Sequence, residues 1–237
     1  MNSWQAVLAL TLMAGMAMPL GAWAAWKENI EIPWLESELR HAIIAFGGGA
    51  LLSAVALVLV PNSLSDLAIG SAAAWFLSGG VAFMALDVAL ARSGSSASQL
   101  AAMLADFVPE ALALGAAFAY GSSGGMLLAG LMALQNLPEG FNAYHELRQS
   151  TGYSSLRLVG LFFTMAWLGP LAGLGGFWWL AHYPAAVAAI MLFAAGGILY
   201  SVFQDLAPQA KLESHWGPPL GAVAGFALGI VGHMLTQ

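Results

Sequence analysis

The sequence predicts an all-α polytopic membrane protein that forms one transmembrane domain over residues 1–237, with eight spans and both termini outside the cytoplasm. Three observations predict this class. The chain is 60% hydrophobic and only 8% charged, whereas about a quarter of the residues in soluble domains are charged. Eight apolar runs have about the 20 residues that a helix needs to cross a bilayer. The six Lys and Arg residues all fall in or beside alternate connections between these runs.

The apolar runs and the basic residues together predict an orientation. The runs lie at approximately 4–24, 42–61, 68–91, 99–120, 124–146, 156–181, 185–206 and 216–235. The basic residues, at connections 1–2, 3–4, 5–6 and 7–8, are Lys27, Arg40, Arg92, Arg148, Arg157 and Lys211. Because Lys and Arg favour cytoplasmic loops, we expect these four connections inside and both termini outside a cytoplasmic membrane. A miscounted helix would scatter the basic residues over both sides.

Charge and cysteine content restrict the partners. The net charge of −6 argues against nucleic acid as a partner. The chain has no Cys, so a transition metal would have to be held by oxygen and nitrogen ligands. The lipid bilayer and a metal ion are the expected partners, and the sequence leaves open whether the chain forms a homodimer.

The first run, 4–24, has two interpretations. Ala22-Trp23-Ala24 resembles a signal-peptidase site, but no Lys or Arg precedes the run, as a signal peptide normally requires. We favour a retained helix, and a cleaved signal is the alternative.

Glycines recur in the second, sixth, seventh and eighth runs, where small residues allow membrane helices to approach closely. They predict packing surfaces, or sliding surfaces if the bundle moves. These residues are Gly47, Gly48, Gly49, Gly173, Gly175, Gly176, Gly196, Gly197, Gly221, Gly225 and Gly229.

Polar residues near the cytoplasmic ends of three runs are candidates for an ion pathway. The third run carries Asp87 and the seventh ends near Asp205, which could line a vestibule or cap the helix end. The fifth run ends with Asn142, His145 and Glu146, roughly along one helix face. They could form an exit relay, although polar residues at a membrane interface need have no function.

The fourth and fifth runs carry two similar motifs. Asp106-Phe107-Val108-Pro109-Glu110 and Gln135-Asn136-Leu137-Pro138-Glu139 each place an oxygen-bearing residue four positions before Glu, with Pro between them. Positions i and i+4 share a helix face. A carboxylate at the centre of a membrane helix costs about 2.5–3.5 kcal/mol on insertion scales. Three such carboxylates without a basic partner predict a metal-ion site, and two Pro-kinked helices whose buried acids pair locally are the alternative.

Counting residues predicts that the two motifs meet. Asp106 and Glu110 lie 7 and 11 residues after the start of the fourth run, and Glu139 and Gln135 lie 7 and 11 residues before the end of the fifth. Both pairs are then roughly 10–17 Å from the cytoplasmic surface. We expect Asp106, Glu110, Gln135 and Glu139 to converge, with Asn136 as a further oxygen donor.

The expected ligands indicate the chemistry of the site. Carboxylate and amide oxygens suit harder ions such as Mn²⁺, whereas imidazole would favour Zn²⁺. Because the ligands must be deprotonated to bind a metal ion, we expect transport to fall at low pH.

On these residues the chain resembles the ZIP (Zrt/Irt-like) family of divalent metal transporters. Gln135-Asn136-Leu137-Pro138-Glu139-Gly140 is similar to the family's His-Asn-x-Pro-Glu-Gly type signature, and 106–111 resembles a degenerate copy of it. Residues 199–208 are similar to the family's seventh helix. The resemblance implies a binuclear-type centre between helices 4 and 5, an elevator-like movement, and an inverted repeat relating helices 1–3 to helices 6–8. It implies Zn²⁺, Mn²⁺, Fe²⁺ or Cd²⁺ as substrate, with no separate cofactor.

The chain departs from the family at three positions. The family's helix 4 His is Asp106, its Asn is Phe107, and its helix 6 Glu aligns with Gly169. These departures favour one main metal position over two and weaken the expectation of zinc.

We therefore expect a metal transporter and no enzymatic activity. The alternatives are a metal-binding regulator that carries no ion and an intramembrane metal-dependent hydrolase, for which a His at the depth of the site would be expected.

Overall fold

The computed structural model describes residues 3–28, 33–93, 98–119, 124–210 and 216–236, and this part of the chain is helical with no strand. We number its eight long helical segments α1 to α8. They are α1 (Ser3–Lys27), α2 (Pro33–Ala54, a π turn at Val55–Leu59, then Val60–Ser63), α3 (Ile69–Ser93), α4 (Ser98–Ala119), α5 (Gly124–Ser150), α6 (Ser155–Met165 and Leu168–Trp178, followed by a 3₁₀ turn at Leu180–His182), α7 (Pro184–Ser201, a π turn at Val202–Leu206, then Ala207–Gln209) and α8 (Pro218–Thr236).

All eight predicted runs coincide with helices, which confirms the all-α class. Among the described residues, six segments are long and apolar enough to cross a membrane, and they indicate a membrane protein. These segments are Ser3–Lys27, Glu38–Ser63, Ile69–Arg92, Ser155–His182, Pro184–Gln209 and Pro218–Leu235. The other two helices, α4 and α5, are not among these six segments, and they contain the acids and amides of the two motifs. Eight spans and external termini stay predictions, and Lys211, which entered the orientation argument, lies outside the described residues.

Two helix ends have causes in the sequence. The α2 helix begins earlier than its apolar run, at Pro33, because the polar segment before the run is also helical and Pro is well suited to a first helical turn. The α6 helix is interrupted at Ala166 and Trp167. Pro170 has no N–H to offer the Ala166 carbonyl, which accepts a bond from the Gly169 N–H at 3.3 Å instead.

The helices pack in four close pairs: α1 with α5, α2 with α8, α3 with α7, and α4 with α6. Exchanging α1–α3 with α6–α8 and α4 with α5 reproduces the same set of pairs. The inverted repeat that the resemblance implies stays a prediction.

Glycines produce this close packing. A Cβ on Gly140 of α5 would overlap the Met18 backbone of α1, and a Cβ on Gly21 of α1 would overlap Leu137 of α5. Gly196 of α7 meets the Phe76 backbone of α3 in the same way, and Gly225 of α8 meets that of Phe46 in α2. The prediction of glycine packing surfaces is therefore confirmed at Gly196 and Gly225, whereas Gly140 and Gly21 lie in helices for which the sequence did not predict one.

The pairs assemble into two groups of helices. The α1, α4, α5 and α6 helices pack together as one group. In the second group α2 and α7 contact each other, α8 packs against α2, and α3 packs against α7. The two groups meet where α2 contacts α5 and α4 contacts α7, a surface that we call the seam.

Both helices on one side of the seam, α2 and α7, carry a π turn that ends two positions before a proline. The Val60 N–H bonds to the Val55 carbonyl, and the Ala207 N–H bonds to the Val202 carbonyl, each five residues earlier. Pro61 and Pro208 follow, and each removes a regular helix bond. Such π turns occur often at functional sites.

Candidate metal site between α4, α5 and α7

The structure brings the four motif residues together in two pairs. The Gln135 side-chain Nε2 donates a hydrogen bond to Glu110 Oε2 at 2.7 Å. Asp106 and Glu139 line the same cavity. These are the pairs that residue counting placed at equal depth. The connection between α4 and α5 spans residues 120–123, which lie outside the described residues.

Three of the four side chains are buried, and Glu139 is partly buried. Glu110 and Gln135 have no exposed surface, and Asp106 is 3% exposed. Within the described part of the chain, no Lys, Arg or His side chain pairs with Asp106, Glu110 or Glu139. The negative charges of Glu139, Glu110 and Asp205 all act on Asp106.

Six buried oxygen atoms have no hydrogen-bond partner among the described residues. An unpartnered buried polar atom is costly and calls for an explanation. The six atoms are Asp106 Oδ1, Glu110 Oε1, Gln135 Oε1, Asn136 Oδ1, Glu139 Oε2 and Asn142 Oδ1.

The cavity lies at the seam and has a volume of about 40 Å³. By this measure a water molecule needs about 10–15 Å³, so the space suits a small ion with part of its water shell. Its lining comes from α2, α4, α5 and α7, and consists of Leu51, Met103, Asp106, Glu139, Asn142, Ser201, Asp205 and Leu206.

The described residues do not form a site in which three acids bind one metal ion directly. Among the described residues, no group of three His, Cys, Asp or Glu side chains lies close enough together to hold a metal ion. The lining of the cavity contains three carboxylates that are spread around it. They belong to Asp106, Glu139 and Asp205, and the amide of Asn142 and the hydroxyl of Ser201 lie beside them.

Asn136, which we expected to donate an oxygen to the metal site, is instead hydrogen-bonded to α1. Its Nδ2 donates to the Ala14 carbonyl of α1 at 2.9 Å. Asn136 does not line the cavity, and neither do Glu110 and Gln135. Ser201 is a lining residue that the sequence argument did not name. Its position one helical turn before Asp205 is a signal that could have found it.

The candidate pathway residues separate into two places. Asn142 and Asp205 line the cavity, and Asp87 and Glu146 are near enough to Asp205 to repel its charge. The Tyr200 hydroxyl donates to Asp87 Oδ2 at 3.1 Å.

His145 does not line the cavity with Asn142. Its Nε2 lies 3.1 Å from Glu28 Oε2 at the end of α1, and its ring packs edge-on against Phe141 and Tyr144. The relay that we expected from Asn142 to Glu146 is therefore divided between two helix faces.

Two of the three departures from the family pattern, Phe107 and Gly169, are in contact with each other. A Cβ on Gly169 would lie 2.6 Å from Phe107 Cζ, and the Phe107 ring is fully buried. The phenyl ring thus fills the space beside position 169, where the family's Glu side chain would stand.

Comparison with known proteins found no match, either among protein-family models or among curated proteins. The resemblance to the ZIP family therefore depends on the motifs in α4 and α5, on residues 199–208 and on the expected topology.

Proposed function

We propose that this protein carries divalent transition-metal cations of the zinc, manganese or iron class across the cytoplasmic membrane, through the carboxylate site between α4 and α5. The observation that carries the proposal is a set of three acids with no basic partner among the described residues: Asp106 and Glu110, which are buried, and Glu139, which is partly buried. A visiting cation would offset the cost of burying their charge.

The position of the cavity supports transport over static binding. Its walls belong to both helix groups, with Asp106 and Glu139 on one side of the seam and Ser201 and Asp205 on the other. Movement of one group along the other would carry the acids of α4 and α5 away from α7. The elevator-like movement implied by the family resemblance requires a site of this kind.

One main metal position is part of the proposal. Phe107 packs against Gly169 and provides no ligand atom, so the second position implied by the resemblance would lack two donors.

Glu139→Gln tests the proposal. The substitution keeps the size of the side chain and removes one of the three carboxylates that line the cavity, so uptake of Mn²⁺ and Zn²⁺ into proteoliposomes should fall to the level of empty liposomes. Asp66→Asn is the matched control, because Asp66 is an exposed acid between α2 and α3, and its uptake should equal that of the wild type. Full uptake by a correctly inserted Glu139→Gln protein would remove the basis of the proposal.

The same assay separates the two alternatives. Binding of Mn²⁺ to the purified protein without flux would favour a regulator. Hydrolysis of a substrate at this site would favour the metal-dependent hydrolase, for which the described cavity lining supplies no His.

A further inference from the structure

A second and larger cavity lies between α1, α2, α5 and α8. Its volume is about 530 Å³, within the range of about 300–1,000 Å³ that is usual for ligand pockets. Ala24 and Leu137 in its lining are exposed, so the cavity is a groove that opens to the surroundings of the bundle. We call it the α1–α2 groove, after Gly21 and Ala24 of α1 and Ala42 and Ile43 of α2, which form two of its walls.

Close packing within two helix pairs leaves this groove between the pairs. A Cβ on Gly21 of α1 would overlap the Leu137 carbonyl of α5, and a Cβ on Gly221 of α8 would overlap the Ala42 carbonyl of α2. Each pair is thus held tightly, whereas α1 and α2 are not a close pair in the described part of the chain. A chain-like molecule can therefore lie between the two pairs without displacing a helix.

The lining of the groove is wholly apolar. All ten of its residues are Gly, Ala, Pro, Ile, Leu or Phe. Apolar cavities stay dry, and a polar ligand would find no side chain there to hydrogen-bond. Since α1, α2 and α8 belong to segments that are apolar enough to cross a membrane, the molecules beside the groove are lipids. The occupant that fits this lining is a hydrocarbon chain.

Two basic residues lie at one end of the groove. Gly21 and Ala24 in the lining are followed at the same spacing by Lys27 at the end of α1. In α2, Arg40 precedes the lining residue Ile43 by three positions. Positions three apart share a helix face, so both basic residues follow the lining by one turn. Neither forms an ion pair with an acid among the described residues.

The described acids at this end of the groove face other groups. Glu28 Oε2 lies 3.1 Å from His145 Nε2. A Cβ on Gly217 would lie 2.6 Å from Glu38 Oε1, so the Glu38 side chain is turned toward the residues before α8. The two basic side chains can therefore attract an anionic group at the membrane surface.

We propose that the α1–α2 groove binds an anionic phospholipid, with one acyl chain in the groove and the phosphate against Lys27 and Arg40. Burying a hydrocarbon chain against apolar side chains is favourable, and basic side chains attract anionic lipids at the membrane surface. The positive-inside argument expects this lipid in the cytoplasmic leaflet. The lipid contacts both helix groups, because α1 and α5 form one wall of the groove and α2 and α8 the other.

Native mass spectrometry of the full-length protein tests the role of the basic residues. The protein is purified in detergent without metal, and phosphatidylglycerol or phosphatidylcholine with the same acyl chains is added. We expect wild type to bind one phosphatidylglycerol in preference to phosphatidylcholine, and Lys27→Gln combined with Arg40→Gln to weaken this binding about tenfold. Arg92→Gln combined with Arg157→Gln is the matched control, since it removes two exposed basic residues on the same expected side of the membrane and should bind like wild type.

Ala24→Phe tests the apolar part of the site. Ala24 is exposed within the groove, so the phenyl ring would take the space of the acyl chain, and binding of phosphatidylglycerol should fall severalfold. Ala73→Phe is the control, because Ala73 is exposed on α3, which does not line the groove.

Four outcomes would overturn the inference. They are equal binding of the two lipids by wild type, an equal loss of binding in the Arg92 and Arg157 control, unchanged binding by Ala24→Phe, and a protein dimer that forms in place of the lipid complex. The inference does not depend on the proposed transport function, and since no metal is present, its failure would leave that proposal untouched.

Discussion

At the scale of single residues, the neighbours Gln135 and Asn136 have different partners. Gln135 bonds across to Glu110 of α4, whereas Asn136 bonds to the Ala14 carbonyl of α1. Consecutive helix positions are separated by about 100° around the axis, so two adjacent amides cannot serve one ion unless the helix is distorted. In this structure the proline at position 138 does not bring Asn136 into the cavity lining.

Asn136→Ala should therefore reduce stability more than Asn142→Ala does. The first substitution removes a buried hydrogen bond between α5 and α1, for which we expect a loss of about 1 kcal/mol. The second removes an oxygen that has no partner among the described residues. Thermal unfolding in detergent without added metal measures both variants, and equal losses would contradict the assignment of Asn136 to helix packing.

At the scale of helices, the π turn of α7 determines where Asp205 lies. The turn inserts an extra residue into the helical repeat, and both Asp205 and Leu206 in it line the cavity. Pro208 follows and cannot donate to the Gln204 carbonyl, so a regular helix would lack that bond in any case. Val60-Pro61 in α2 repeats the arrangement.

Pro208→Ala should lower metal uptake, because the restored N–H allows the regular helix bond to re-form and rotates Asp205 relative to the cavity. The expected result is a severalfold loss of uptake in proteoliposomes with the protein still folded. Pro219→Ala is the control, since Pro219 lies in the first turn of α8, where its missing N–H leaves no helix bond unmade. Equal uptake by the two variants would show that the π turn does not position Asp205.

At the scale of the whole molecule, counting along apolar runs was enough to predict the helices and which motif residues lie opposite each other. The runs are long and the prolines mark the motifs, so the pairing of Asp106 with Glu139 and of Glu110 with Gln135 followed from the spacing along two antiparallel helices. The sequence could not reveal that Phe107 fills the space beside Gly169, nor that Asn136 is held by α1. Those contacts depend on which helices pack together, and the sequence of a single helix does not contain that information.

Cysteine labelling can decide the number of spans, because the chain has no native Cys that would react in the background. Positive-inside orientation predicts that Ser65→Cys and Tyr183→Cys react with an impermeant maleimide on intact cells, while Gly152→Cys does not. These three exposed positions give the same answer whether α4 and α5 cross the membrane or enter and leave it from the cytoplasmic side. Ala119→Cys, at the exposed end of α4, distinguishes the two. Eight spans put it outside, so it should be labelled, whereas its protection until the cells are opened would mean six spans and a site carried by a re-entrant helical hairpin.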